Sequence, residues 1–330
     1  MKRTINEIAD MAKVAKSTVS KALNGHKGVS DEKRREILAL AARYNYEPSA
    51  SAQALASSRT GSIGLLVPHD PGYSLSGSYW SAIVTSVARA ASARNHSLTI
   101  LSPRAGDDCA APVEAAIRRR HVDGLIIGAE LLEPAVLERL SEEGLPFVLL
   151  GRNARIAHHC VDVDNFGGSE RLVTHLLGAG YRKIVCISGP DNFLYTRERL
   201  DGYHSALDKA GVVWSAAACS GYDTQASRAA VAKLLLAHPE ADALYVTAGG
   251  GFFLDCLAAL KASGRPLDRF GLAVFDDSRA FDLLAIPPVC AVKQPYAEIG
   301  STAVEILFAF INGESPEFDE RILGVEIVLR

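Results

Sequence analysis

Between Gly61 and Val292 one texture repeats: an apolar run of four to seven residues, then a longer stretch whose apolar positions recur at helical spacing. The runs at 63–67, 98–101, 124–127, 147–150, 183–187, 243–246, 272–275 and 289–292 read as strands. Stretches at 81–94, 112–120, 168–177, 197–210, 225–237 and 296–311 read as the helices between them. Short buried strands joined by crossover helices specify parallel sheets with helices on both faces. The number of units predicts two consecutive doubly wound α/β halves, with a cleft where the carboxyl ends of their strands face each other.

Residues 1–60 have a different character. They hold 11 Lys and Arg against 6 Asp and Glu, whereas the remaining residues hold 24 against 32. The basic end is the natural contact for a polyanion and the acidic remainder is not. Thr4 and Glu7 have the spacing of a capping box, and Ile5, Ile8 and Ala12 follow on one helical face. A second helical stretch, 14–23, stops at Asn24-Gly25, and a third opens at Ser30 with Asp31 and Glu32 behind it. Three short helices with a tight first turn make a helix-turn-helix unit. Its second helix turns Lys16, Ser17 and Lys21 outward, the side-chain types that pair with base edges and phosphates. From 49 to 60 the residues are small and polar apart from Leu55, which by composition is a linker.

No stretch reaches the eighteen apolar residues of a membrane span, and the polar N-terminus MKRTINEIAD is unlike a secretion signal. A cytoplasmic location without membrane contact is expected. Six scattered cysteines, with no C-x-x-C spacing, predict reduced thiols and no zinc site. His158-His159-Cys160 is the densest cluster of ligating side chains, and adjacent histidines do not share a face suited to one ion. No metal, no cofactor and no catalytic centre is expected.

The segments Thr4-Ile5, Ile8-Ala9, Thr18-Val19-Ser20-Lys21-Ala22-Leu23-Asn24, Val29-Ser30, Tyr46, Pro48, Ala52, Leu55 and Ile63-Gly64 resemble, in order and spacing, the lac-repressor family of bacterial regulators. The resemblance implies that Lys16, Ser17 and Lys21 read bases and that Thr18, Ser20 and Asn24 contact the DNA backbone. Thr4 and Ala52 join that DNA-contacting set. Residues 49–57 would be a hinge helix ordered on operator DNA, with Leu55 wedged into the minor groove. Where the family usually has Gly at the turn and Ser capping the second helix, this chain has Lys13 and Ala15.

The resemblance continues through Asp162-Val163-Asp164-Asn165, Gly168, Gly180-Tyr181-Arg182-Lys183-Ile184, Gly189-Pro190, Arg199, Gly202-Tyr203, Phe275-Asp276-Asp277 and Lys293-Gln294-Pro295-Tyr296. It implies subdomains of the periplasmic-binding-protein type around a small-molecule effector. Arg199 and Asp276 would grip the ligand, Tyr222 and Tyr296 would form an aromatic wall, and Arg152, Asp70, Tyr73 and Trp80 would complete the site. At 247–251 the chain reads Thr-Ala-Gly-Gly-Gly where the family often has Asn-Asp, and glycine N–H groups there suit an anion or make room for a bulkier ligand.

The expected organisation is a helix-turn-helix domain at 1–48, a hinge at 49–60 and an effector and dimerisation domain at 61–330. Its first subdomain would take 61–161 plus 293–320, and its second 162–292 plus the C-terminal end. The expected function is a repressor that binds a palindromic operator as a homodimer. Its effector would be a sugar, a polyol or a phosphorylated or anionic derivative. Without a leucine-heptad tail, a tetramer of the lac-repressor type is not expected.

Overall fold

A computed structural model of the chain describes residues 3–23, 25, 27–46, 59–67, 78–104, 108–128, 132–153, 158–314 and 320–330. Asn24, the expected hinge helix with Ala52 and Leu55, and Asp70 and Tyr73 lie outside the described residues. Residues 1–61 form one compact unit and 62–330 another.

In the first unit three helices, α1 (Ile5–Ala12), α2 (Lys16–Leu23) and α3 (Asp31–Arg43), surround a small core. Ile8, Val19 and Ile37 are fully buried there, with Ala9, Ala12 and Ala22 closing the gaps. The capping box is formed: the Thr4 hydroxyl accepts from the Glu7 N–H, and the Glu7 carboxylate accepts from the Thr4 N–H at 2.7 Å. Lys33 Nζ donates to the Ala12 carbonyl and an Arg34 guanidinium nitrogen to that of Ala22, so α3 supplies cations to the carboxyl ends of both preceding helices.

The turn from α1 to α2 passes through Lys13 at φ 52°, ψ 46°. That left-handed conformation favours glycine over a residue with a Cβ. Lys13→Gly is therefore expected to stabilise the headpiece by about 1 kcal/mol, read as a higher melting temperature of the isolated transition of residues 1–61. A lower melting temperature would show that the Lys13 side chain contributes more than its backbone costs.

The second unit contains two six-stranded sheets. The first pairs β1 (Ser62–Leu66), β2 (Ser97–Leu101), β3 (Leu125–Gly128), β4 (Phe147–Leu150) and β5 (Cys160–Val163) in the order β2-β1-β3-β4-β5, all parallel. The second pairs β6 (Ile184–Ser188), β7 (Ala216–Cys219), β8 (Ala243–Val246), β9 (Gly271–Phe275) and β10 (Cys290–Lys293) as β7-β6-β8-β9-β10, again parallel. The last two strands divide: β11 (Glu320–Leu323) extends the first sheet beside β5, and β12 (Glu326–Leu329) runs antiparallel to β10 in the second.

The chain therefore crosses between the sheet layers three times. It passes from β5 into α7 (Asn165–Gly178), from β10 into α11 (Tyr296–Ile311), and from β11 into β12. Helices α4 (Ser78–Ser92), α5 (Ala110–Arg119) and α6 (Pro134–Glu142) serve the first sheet, with α11 packed on α4. Helices α7, α8 (Leu194–Lys209), α9 (Thr224–Ala237) and α10 (Gly250–Ala262) serve the second. Among the described residues no helix is long and apolar enough to cross a membrane, and no group of His, Cys, Asp and Glu is placed to hold a metal ion.

All eight expected strands are present. The four that the apolar runs did not mark are β5, β7, β11 and β12. Asp162 interrupts β5, β7 is the alanine-rich edge segment Ala216–Cys219, and β11 and β12 each contain a glutamate. Their strand conformation comes from pairing with a formed neighbour and not from side-chain preference.

Candidate functional site

In the second sheet the connections leave β6 and β8 towards opposite sides, so a crevice opens between their carboxyl ends. Ser188 ends β6 and Thr247 follows β8; both are buried and their hydroxyls lie 3.0 Å apart. Arg199, from the first turns of α8, reaches this point. Its Nη1 donates to the Thr247 carbonyl at 2.7 Å and its Nε to Asn165 Oδ1 at 2.9 Å. The guanidinium lies 3.6 Å from the centre of the Phe275 ring and 5.0 Å from that of Tyr195.

Asp276 leaves the end of β9 at φ 85°, a backbone conformation that L-residues seldom adopt and that persists where surrounding bonds fix it. Its N–H donates to the Val292 carbonyl. Its carboxylate accepts from the Gln294 amide, from the Tyr296 hydroxyl at 3.2 Å and from the Gly249 N–H at 3.1 Å. Gly249 is the N-cap of α10, and a Cβ there would lie 2.7 Å from that of Asp276, so only glycine permits the approach. The glycine run thus holds an internal carboxylate at a helix N-terminus.

Arg199 and Asp276 are only 6% and 7% exposed. Their hydrogen-bond partners among the described residues are neutral: carbonyl and amide oxygens for the cation, an amide, a hydroxyl and a peptide N–H for the anion. They form no ion pair with each other among the described residues. Two buried opposite charges held apart by dipoles are costly to fold and are suited to a ligand that bridges them.

Aromatic side chains bound the crevice. The Tyr195 and Tyr222 hydroxyls are 2.7 Å apart, and Tyr222 lies over Gly189 so closely that any side chain there would collide with it. Tyr296 is the first residue of α11 and brings its hydroxyl to Asp276 from the other subdomain. Its ring meets Tyr79 edge-on at 5.8 Å. Trp80, expected at the ligand, is 9% exposed and belongs to the apolar core, with its ring edge-on to Tyr79 at 5.3 Å. The helix phase places Tyr79, one residue earlier, beside Tyr296.

Arg152, also expected at the ligand, is engaged by carboxylates. Its Nε donates to Asp162 at 3.0 Å and its Nη2 to the two Glu198 oxygens at 2.7 and 2.5 Å. Burial lowers the Arg152 pKa, but Asp162 and Glu198 together outweigh burial and raise it. Burial raises the Glu198 carboxyl above its usual range even though Arg152 pulls it down. Asn165, Glu198, Thr247 and Gln294 were not singled out from the sequence as site residues. Asn165 and Gln294 stand inside the family motifs, and their position just past a strand end is the signal that could have found them.

On the headpiece, Lys16, Ser17 and Lys21 are exposed along α2, while Val19 and Ala22 face the core and Thr18 and Ser20 are half-buried between. The helix carries no acidic residue. Thr4 is committed to capping α1.

Two family models match the chain: bacterial regulatory proteins of the lacI family over residues 4–49, and periplasmic binding proteins and sugar binding domain of LacI family over residues 60–318. The HTH-type transcriptional regulator CelR of Thermobifida fusca is 28% identical over 99% of this chain and 97% of its own. Catabolite control protein A of Streptococcus mutans is 26% identical over 97% and 95%. Among solved structures, a transcriptional regulator CelR–cellobiose complex superposes with a TM-score of 0.75 at 26% identity, covering 99% of each chain. The lac repressor dimer bound to operator and the anti-inducer ONPF shares the fold, with a TM-score of 0.82 at 23% identity over 100% of this chain and 98% of its own. The chain is a member of the lacI family of bacterial transcriptional regulators, a DNA-binding headpiece followed by the family's sugar-binding domain.

Proposed function

We propose that the chain is a cytoplasmic repressor that binds a palindromic operator as a homodimer and is released by a neutral, hydroxyl-rich effector. Residues 1–48 read a half-site, 49–60 form the hinge, and 61–330 hold the effector and pair the protomers. It works by binding and not by catalysis.

The observation that carries the effector reading is the isolation of Arg199 and Asp276 at the topological switch point. A saccharide hydroxyl both donates and accepts, so vicinal hydroxyls satisfy the carboxylate and the guanidinium together. Among the described residues of this hydrogen-bonded network, Arg152 and Arg199 stand against Asp162, Glu198 and Asp276. Carboxylates outnumber guanidiniums there. The Gly249 N–H, which an anionic ligand would use, is already bonded to Asp276. Both facts favour a neutral saccharide over a sugar phosphate or sugar acid, and the cellobiose held by the CelR relative supports that class.

On the DNA side, Lys16, Ser17 and Lys21 are proposed to read bases, Thr18, Ser20 and Asn24 to position the backbone, and Leu55 to wedge the operator centre. Thr4, from its N-cap position, and Ala52 are proposed to join the DNA contacts. Leu55→Ala tests the hinge. It is expected to weaken specific operator binding by about a hundredfold while leaving nonspecific binding within about twofold. Equal losses on both DNAs would refute the wedge.

A further inference from the structure

Arg152 leaves the end of β4 in the first subdomain, and Glu198 lies on α8 of the second. Their contact, 2.7 and 2.5 Å from Nη2 to the two carboxylate oxygens, therefore spans the cleft. Behind it the polar chain is continuous. Asp162 accepts from Arg152 through Oδ2 and from the Asn165 amide through Oδ1 at 3.1 Å, and Asn165 Oδ1 accepts from Arg199. The guanidinium at the switch point is thus linked, through a residue at the β5–α7 crossing, to the opposite lip of the cleft.

With 6% and 7% exposure, Arg199 and Asp276 have little surface to offer a sugar-sized ligand unless one subdomain moves against the other. The three crossings let that happen with each sheet intact, but contacts between the lips have to break. Arg152–Glu198 is such a contact, and it is built to yield. Glu198 shares its guanidinium with Asp162, and the Arg152 and Glu198 side chains keep 24% and 20% exposure, so water can take over either partner.

We propose that the Arg152–Glu198 ion pair is a clasp that favours the closed arrangement of the cleft and sets the fraction of molecules open to effector. This rests on the cleft being the effector site, but its test needs no effector, so the two can fail separately.

The experiment measures spin–spin distances in the full chain between labels at Glu138→Cys in the first subdomain and Val213→Cys in the second, both exposed. Cys109 and Cys219 are replaced by Ser, and labelled chain is diluted in excess unlabelled chain so that distances within one protomer dominate. The parent should show a dominant closed distance. Glu198→Gln and Arg152→Gln should each shift the closed-to-open ratio by about tenfold towards a longer distance. Glu170→Gln, which breaks the 2.6 Å pair with Lys209 inside the second subdomain, should leave the distribution unchanged. Because Glu198 neighbours Arg199 in sequence, the Arg152 variant decides whether loss of the clasp, and not a disturbed α8, causes the shift. Unchanged distributions in both clasp variants, or an equal shift in Glu170→Gln, would overturn the proposal.

Discussion

Arg199→Ala is expected to weaken effector binding by about a hundredfold or more while leaving operator affinity without effector within about twofold. The size follows from what remains. Removing the guanidinium takes away a charged hydrogen-bond donor and leaves Asn165 Oδ1 and the Thr247 carbonyl without their partner in a buried site. A ligand hydroxyl placed there faces acceptors only. Asp276→Ala should do the same from the other side, freeing the Gly249 N–H, the Gln294 amide and the Tyr296 hydroxyl. Calorimetry with the effector reads the first quantity, and operator titration reads the second. Effector affinity that survives either change within about threefold would place the ligand elsewhere.

Ile37→Ala should abolish operator binding while leaving the effector domain folded. Ile37 is fully buried where α3 meets α1 and α2, in a core whose other large members are Ile8 and Val19. Truncating a buried isoleucine costs about 2–5 kcal/mol, and a domain this small rarely holds more than that. Two separate thermal transitions in the parent should become one, with the effector-domain transition retained. An intact headpiece transition in the variant would show that α1, α2 and α3 draw stability from outside this core.

Much of this was legible in the sequence because the strands of a covered parallel sheet are continuous apolar runs. The eight runs gave both sheets and their order of appearance, and Thr4 and Ser30 announced the helix starts they cap. The edges were not legible. β7 and β12 take their conformation from pairing with β6 and β10, information that no local pattern contains. Helix α10 begins in glycines and is apolar apart from Asp255 and Lys261, so it offered neither a side-chain cap nor a clear period.

At the site, residue type marked charged and aromatic side chains but could not assign partners. Trp80 and Tyr79 differ by one helical position, which decides core against crevice. Arg152 shows the same limit on a larger scale. Its guanidinium is claimed by Asp162, ten residues on, and by Glu198, forty-six residues on, and only the placement of β4, β5 and α8 brings the three together. The glycine run at 249–251 suggested an anion site, and the anion it holds is the chain's own Asp276.

The measurement closest to the central claim compares operator affinity with and without ligand in the parent chain and in Asp276→Ala, using neutral mono- and disaccharides and their phosphates that raise the melting temperature of the effector domain. A neutral saccharide is predicted to change operator affinity by at least about fivefold in the parent and not at all in the variant. A stabilising ligand that leaves operator affinity unchanged in the parent, or that works equally well without Asp276, would contradict the account.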